Sequence, residues 1–296
     1  MRAIRLAAAA LVLPCFLSGC SLFFTTRKLP VPRQAAMVQT LAPEELVAQL
    51  NRRWAALDTL TAKVDIQASV LKSKEGVAKD YTAFGGNILM RKPAMMRVFG
   101  RLPVIGTRMF DMVSNGKDFM LWIPSKNLVF KGANTLKKRS ASQVENMRPG
   151  FFLDALVVRG LEPDDLYAVT AETDTLADAS KKHLVTVPEY VISIMRGKPG
   201  SKQLIPVRVI TLRREDLLPY EQDLYDSEGN LETQVTYANY RDFGSSRYPS
   251  TVTIKRPLEE YQIVLTVESV QENQPLTDDQ FQISNIPEGT ATQRLE

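Results

Sequence analysis

The chain has 296 residues, of which 44% are hydrophobic and 24% are charged, so its composition is that of an ordinary globular protein. Its 15 glycines and 17 prolines exclude a collagen-like or low-complexity chain, while one histidine and two cysteines exclude most zinc sites and any disulfide scaffold. The formal net charge of +4 at pH 7 is too small to predict a polyanionic partner.

The first 20 residues have the pattern of a secretory leader. Arg2 and Arg5 form a short basic region, and the apolar run at 6–17 is about a dozen residues long, short of the roughly 20 that a membrane-spanning helix needs. The sequence Leu-Ser-Gly-Cys at 17–20 resembles the bacterial lipobox. This resemblance implies cleavage after a signal peptide of residues 1–19 and a lipid with acyl chains such as palmitate on Cys20. The alternative is an ordinary cleaved signal with an incidental cysteine.

Removal of this leader would change the net charge of the chain, and the residue after the cysteine indicates where the mature protein is located. Without Arg2 and Arg5, the basic residues fall from 37 to 35 against 33 acidic ones, a net charge of +2, so no nucleic-acid partner is predicted. Ser21 follows the cysteine, at the position where enterobacterial lipoproteins of the inner membrane chiefly carry Asp. The lipobox resemblance therefore implies a lipid-anchored protein of the outer membrane that faces the periplasm.

The mature chain begins with a tether and continues with a helix. Residues 20–42 predict a lipidated cysteine and a polar tether, because prolines and charges interrupt any sustained period. The sequence Pro-Glu-Glu at 43–45 favours a helix start, since its carboxylates lie at the positive end of the helix dipole. One apolar face is predicted by residues spaced four, four and three apart, namely Leu46, Leu50, Trp54 and Leu57.

The hydrophobic period changes to two near residue 60, which is typical of a half-buried strand over 60–70. Further strands are predicted at 81–90, 95–99, 107–113, 119–123, 128–130, 166–173, 183–195 (as one strand or two), 204–213, 220–225, 231–240, 250–255 and 261–270. Short turn-like connections favour antiparallel pairing. The predicted fold is mainly β, with a large curved antiparallel sheet that forms a half-open barrel and a few lid or packing helices. One domain over 43–290 and a tail at 291–296 are expected.

Residues 137–162, the lid segment, interrupt the strands. From 151 to 158 this segment is apolar on every side apart from Asp154, and such a helix needs apolar partners on both faces. It either plugs the concave side of the sheet or covers a cavity that a lipid can enter.

The connection at 100–106 carries aliphatic residues where a surface loop is normally polar. Leu102, Val104 and Ile105 either fold back into the core or project outward. In the second case they form a membrane-contact loop, in which each side chain contributes roughly 1.5 to 3 kcal/mol on burial.

Three short motifs resemble those of the lipoprotein-localisation superfamily, which includes LolA and LolB. They are Gly-Gly-Asn-Ile-Leu-Met-Arg-Lys-Pro at 85–93, the turn Ser-Asn-Gly-Lys at 114–117 before a strand that ends near Pro124, and Phe281 followed by Ile-Pro-Glu-Gly at 286–289. The similarity covers most of the mature chain in outline. Cys20 and the apolar loop place the chain nearer the LolB branch.

This resemblance implies a half-open β-barrel, closed by a helical lid, whose apolar interior receives acyl chains. The residues expected to line this interior, by strand alternation and position in the lid, are Val64, Ile66, Ile88, Met90, Phe110, Met112, Phe119, Leu121, Phe151, Phe152 and Leu156. In LolA a basic residue before a proline contacts the lid, which makes Lys92 and its neighbour Arg91 candidates for tethering it. A periplasmic carrier protein is a possible partner.

The expected function is to bind acyl chains of lipoproteins or other lipids and to help deliver them to the membrane. The alternative is a structural or assembly lipoprotein with the same fold and a filled interior. No enzyme, cofactor or metal site is predicted, because His183 is the only imidazole and no Ser-His-Asp, HExxH, Walker or GxGxxG pattern accompanies it. The spacing of the Asp and Glu residues along the sequence does not by itself exclude a carboxylate-dependent glycosidase.

Overall fold

A computed structural model of the chain describes residues 33–34, 38–72, 77–102, 106–134, 150–177 and 183–295. The leader, Cys20 and most of the tether lie outside the described residues. The last residues predicted as tether are instead bound to the domain, since the Gln39 N–H donates to the carbonyl of Arg214 at 2.8 Å and the Leu41 N–H donates to the Tyr190 hydroxyl at 3.0 Å. The described residues divide into two compact units, of which the smaller lies within Met1–Ala35 and Asp174–Val187 and the main unit lies within Ala36–Thr173 and Pro188–Glu296.

The described residues form two α-helices and sixteen strands. In chain order these are β1 (Arg33–Gln34), α1 (Pro43–Ala56), β2 (Thr59–Lys72), β3 (Val77–Asp80), β4 (Phe84–Arg91), β5 (Met95–Arg101), β6 (Arg108–Ser114), β7 (Asp118–Ile123), β8 (Leu128–Ala133), α2 (Gly150–Leu156), β9 (Leu166–Ala177), β10 (Leu184–Gly197), β11 (Leu204–Arg213), β12 (Pro219–Tyr225), β13 (Leu231–Phe243), β14 (Ser246–Arg256), β15 (Tyr261–Glu272) and β16 (Ala291–Leu295). The mainly β prediction is confirmed. Neither helix is long and apolar enough to cross a bilayer, as far as the described residues go.

In the main unit the strands form one open sheet in the order β10-β11-β12-β13-β14-β15-β2-β4-β5-β6-β7-β8-β16, with β3 beside β2. The pairs along this order are antiparallel except for β8 with β16, which is parallel. In the smaller unit, β1 pairs in parallel with Val185 and Thr186. The sheet is thus mixed, where sequence predicted only antiparallel pairing. Residues 291–295, predicted as part of a tail, form a strand at its edge.

The alternation in β2 explains how the sheet meets its core. Leu60, Val64 and Ile66 are buried, while Lys63 and Asp65 are exposed. The buried face curves around α2, since residues of β2, β4 to β8 and β13 to β15 form one hydrophobic cluster with 151–157. The helix therefore lies against the concave face of the sheet, as a plug or lid.

Helix α1 begins and packs as its sequence predicts. Pro43 is at its start, Glu44 and Glu45 are in its first turn, and Leu46 and Leu50 are buried. These two leucines pack against apolar residues of β10 and β11 in a second cluster. The C-terminal half of α1 lies opposite the C-terminal end of α2, and the candidate site is between them.

Candidate functional site

A cavity of about 560 Å³ lies in the main unit at the C-terminal end of α2. Small-molecule sites in proteins typically have volumes of about 300 to 1,000 Å³. Its walls come from α1, from the residues after α2, and from β13 and β14. The apolar and aromatic lining includes Leu50, Trp54, Leu57, Leu60, Leu156, Val157, Val158, Leu218, Tyr237, Tyr240 and Tyr248.

Charged residues also border this cavity. Arg53 and Arg247 carry positive charge, and Asp216 and Glu272 carry negative charge, so the formal charges of these four residues sum to zero. The guanidinium of Arg53 donates to the carbonyl of Leu217 at 2.6 Å, and its partial burial lowers its pKa. Although its guanidinium is partly buried, Arg53 keeps much of its surface exposed, as does Arg247, so these charged residues lie at the mouth. Buried lining residues such as Leu60 and Leu156 are apolar and form the interior.

The end of α2 is held to the sheet by side chains that satisfy its last carbonyls. A helix leaves its final C=O groups without partners inside the helix. Gln222 on β12 donates through Nε2 to the carbonyl of Asp154 at 2.6 Å, and the Tyr248 hydroxyl donates to that of Leu156 at 2.6 Å. These bonds anchor the helix at the cavity, in addition to its apolar packing.

The chain that leaves α2 is fixed in the same way. Arg208 donates to the carbonyls of Arg159 and Gly160, both at 2.8 Å. Arg159 forms a 2.7 Å ion pair with Asp154, whose pKa is raised by burial. A Cβ at position 160 would lie 2.6 Å from the side-chain oxygen of Asn51, so glycine permits this close approach to α1.

Three tyrosines line the cavity, and burial raises the pKa of each. Tyr248 donates to α2, and Tyr240 donates to the carbonyl of Pro219. The Tyr237 hydroxyl accepts from Gln222 Nε2 at 3.2 Å. All three phenols therefore stay protonated at neutral pH and act as neutral hydrogen-bonding groups.

The predicted interior residues lie on the concave face, around α2. Of the eleven, ten are buried in the main cluster, and Phe110 is partly buried against it. Leu156 alone among them borders the 560 Å³ cavity, and Val64 borders a second cavity. The others belong to or pack against the hydrophobic cluster that contains α2. Lipid binding at these residues stays a prediction.

The predicted membrane-contact loop is described only at its start. Leu102 is 38% exposed, whereas Val104 and Ile105 lie outside the described residues. Leu102 also borders the second cavity, which has a volume of about 610 Å³ and lies over Gly85 and Gly86.

Arg91 and Lys92, the predicted lid tethers, bind elsewhere in the described part of the chain. Arg91 donates to the carbonyl of Leu276 at 2.8 Å and pairs with Asp278. Lys92 donates to the carbonyls of Trp54 and Ala55, and its Nζ lies 4.1 Å from the centre of the Trp54 ring. Lys92 directly follows β4, and its side chain thus caps the C-terminus of α1. Neither side chain contacts Gly150–Leu156 in any described bond, and residues 137–149 of the lid segment lie outside the described residues.

The sequence provided no candidate for the polar part of this site. Gln222, Tyr237 and Tyr240 lie in predicted strands, and Tyr248 lies two residues before one, but nothing in their spacing indicates that they meet α2. His183 lies in the smaller unit, just before β10. Across the described residues, no group of three or more His, Cys, Asp or Glu side chains is arranged to hold a metal ion.

Comparison of the sequence with protein-family models and with curated proteins gave no match. Solved structures with a similar fold include a LolA superfamily protein from Nitrosomonas europaea, which is 14% identical with a TM-score of 0.50 over 82% of this chain and 99% of that one. A DUF1329 family protein from Desulfovibrio piger is also 14% identical, with a TM-score of 0.50 over 82% of this chain and 97% of that one. At this identity the likeness concerns the fold alone. The open mixed sheet with its concave-face helix is therefore a LolA-like fold.

Proposed function

We propose that this protein binds an acyl chain of a lipid or lipoprotein in the cavity at the end of α2 and helps to deliver it to a membrane. The cavity itself carries the proposal, because its interior is apolar and its mouth is polar. An acyl chain gains about 0.8 kcal/mol for each methylene that leaves water, and its polar head can stay at the mouth. The LolA-like fold supports the same function through the motif resemblance described above.

A structural lipoprotein with a filled interior is less well supported. Much of the concave face is filled by α2, yet the cavity of about 560 Å³ remains beside it. A longer ligand could extend along the sheet if α2 moved. The bonds broken by such a movement would include those from Gln222 and Tyr248 to the last carbonyls of the helix.

The proposed location of this activity comes from the sequence. Cys20 carries the lipid anchor, the tether ends before Gln39, which is hydrogen-bonded to Arg214 of the domain, and the domain faces the periplasm from the outer membrane. Leu102, Val104 and Ile105 contact the bilayer, so that a ligand can leave the cavity near the membrane. A periplasmic carrier protein supplies the ligand.

Acyl binding can be tested through Trp54. The chain has two tryptophans, and Trp54 lines the cavity whereas Trp122 on β7 does not. In a Trp122→Phe variant, a bromine-labelled palmitoyl lipid is expected to quench the Trp54 fluorescence saturably, because bromine quenches tryptophan on contact. A brominated short-chain acid at equal concentration should quench it only weakly.

The reciprocal Trp54→Phe variant is the control, because its remaining tryptophan lies outside the cavity. The same palmitoyl lipid should quench it little. Equal quenching of both variants, or quenching that never saturates, would contradict acyl binding at this cavity.

Delivery can be tested at the loop. Replacing Leu102, Val104 and Ile105 by Ser is expected to slow transfer of the ligand to liposomes by at least about tenfold, the effect of losing roughly 1.4 kcal/mol of membrane contact. Without that contact a chain of more than ten carbons must cross water at a cost of roughly 10 kcal/mol. Transfer is measured by loss of Trp54 quenching after liposomes are added.

The matched control replaces Val77 and Leu258, which are exposed aliphatic residues elsewhere on the surface, by Ser. It should transfer ligand at the normal rate. Normal transfer by the loop variant, or a large fall in its thermal stability, would show that the loop does not act at the membrane.

A further inference from the structure

One of the tyrosines that line the cavity, Tyr237, has a hydroxyl hydrogen without a described acceptor. Tyr237 is 3% exposed, and its oxygen accepts from Gln222 Nε2 at 3.2 Å. Its own hydrogen has no acceptor in the described part of the chain, whereas Tyr240 and Tyr248 donate to backbone carbonyls. Native proteins leave few buried polar groups without partners, so this donor calls for an explanation.

Gln222 determines where the donor can point. Its side chain is fully buried, and the bond from Nε2 to the carbonyl of Asp154 fixes which end of the amide carries nitrogen. That nitrogen therefore faces the Tyr237 oxygen as a donor. The Tyr237 hydrogen is directed away from it and has no described partner, and the Gln222 Oε1 atom accepts no hydrogen bond either.

The surroundings favour a neutral acceptor. Burial raises the pKa of Tyr237 well above its usual value, so the hydroxyl keeps its proton. The charged residues around the cavity balance, with two arginines against two carboxylates. The charged residues that act on the Tyr237 hydroxyl, Asp154 and Arg208, are also of opposite sign, and Arg208 already donates to the carbonyls of Arg159 and Gly160. Among the described residues, a buried ionised ligand group would therefore find no cation without other partners, whereas a carbonyl oxygen needs only one donor.

We propose that the Tyr237 hydroxyl binds the carbonyl oxygen of an acylated ligand, an ester or an amide, whose alkyl chain occupies the cavity. Gln222 acts as a positioning residue that directs the hydroxyl hydrogen. This inference rests on the proposed function and specifies its ligand class, because it requires a carbonyl at the head of the acyl chain.

Three probes of matched length test this inference: methyl palmitate, N-methylpalmitamide and hexadecyl methyl ether, which has no carbonyl. Their dissociation constants are measured by displacement of the bromine-labelled lipid from Trp54. We expect both carbonyl probes to bind about fivefold more tightly than the ether, the effect of one neutral hydrogen bond. A larger gain for the amide would indicate an N-acyl ligand, and a larger gain for the ester an O-acyl ligand.

Tyr237→Phe is expected to abolish this preference. The matched control is Tyr261→Phe, because the buried Tyr261 hydroxyl likewise donates to no acceptor among the described residues, but Tyr261 lies on β15 beside Phe151, outside the cavity. The control should keep the fivefold preference. As a measurement that needs no variant, the infrared carbonyl stretch of ¹³C-labelled methyl palmitate should shift to lower frequency on binding, compared with the ester in hexane.

The outcomes separate this inference from the function on which it rests. A preference that persists in Tyr237→Phe, no preference before the substitution, or an unshifted carbonyl stretch would overturn the carbonyl site while acyl binding stands. If none of the three probes binds the original chain, both the proposed function and this inference are overturned.

Discussion

Replacing Asp111 by alanine is expected to lower the free energy of unfolding by about 3 to 5 kcal/mol. The Asp111 carboxylate is 0% exposed and accepts two hydrogen bonds from Arg97, at 2.9 and 2.7 Å, and one from Arg108. Its removal would leave two partly buried guanidinium groups without their counter-ion. Denaturant unfolding followed by circular dichroism measures the change.

The effect should extend beyond the two strands that carry these residues. Arg97 also donates to the carbonyl of Gln280 at 3.0 Å, which holds the turn Asp278–Phe281 against β5. Asp65→Ala is the control, because this carboxylate is exposed on β2, and it should change the stability by less than about 0.5 kcal/mol. A loss of under 1 kcal/mol for Asp111→Ala would mean that solvent already screens the cluster.

Most of the sheet could be predicted because its strands have one buried and one exposed face. The alternation of Leu60 and Val64 with Lys63 and Asp65 is visible in the sequence and matches the burial in β2. Helix α1 was predicted from its proline, its two carboxylates and its spacing of apolar residues. In both cases the signal is local, since a few neighbouring residues contain all of it.

The strands that sequence analysis missed lack this signal. Strand β3 is exposed along its whole length, and β16 is exposed at four of its five positions, so neither shows a buried face. Strand β1 has only two residues. The parallel partner of β16 is β8, which is more than 150 residues away, and no local pattern indicates such a pairing.

The candidate site was predicted in character but, apart from Leu156, not in its residues. The lid segment indicated a covered apolar interior, and Trp54 was assigned to the core rather than to a cavity wall. The cavity depends on α1, α2, β13 and β14 meeting at one place, and their separation along the chain hides this from sequence patterns. The unpaired hydroxyl hydrogen of Tyr237 is harder still to predict, because it depends on the orientation of the Gln222 side-chain amide.

Replacing Cys20 by alanine is expected to move the protein from the outer-membrane fraction to the soluble periplasmic fraction. Each methylene of a lipid anchor contributes about 0.8 kcal/mol in the bilayer, and two or more acyl chains give stable attachment where a single chain or a short apolar loop gives only reversible contact. Cell fractionation and mass spectrometry of the mature N-terminus measure the result. Cys15→Ala is the matched control, because Cys15 lies within the apolar run of the leader, and it should leave both attachment and lipidation intact. If the Cys20 variant still fractionates with the outer membrane and the native N-terminus carries no lipid mass, the protein is held at the membrane by other contacts and the lipobox assignment is wrong.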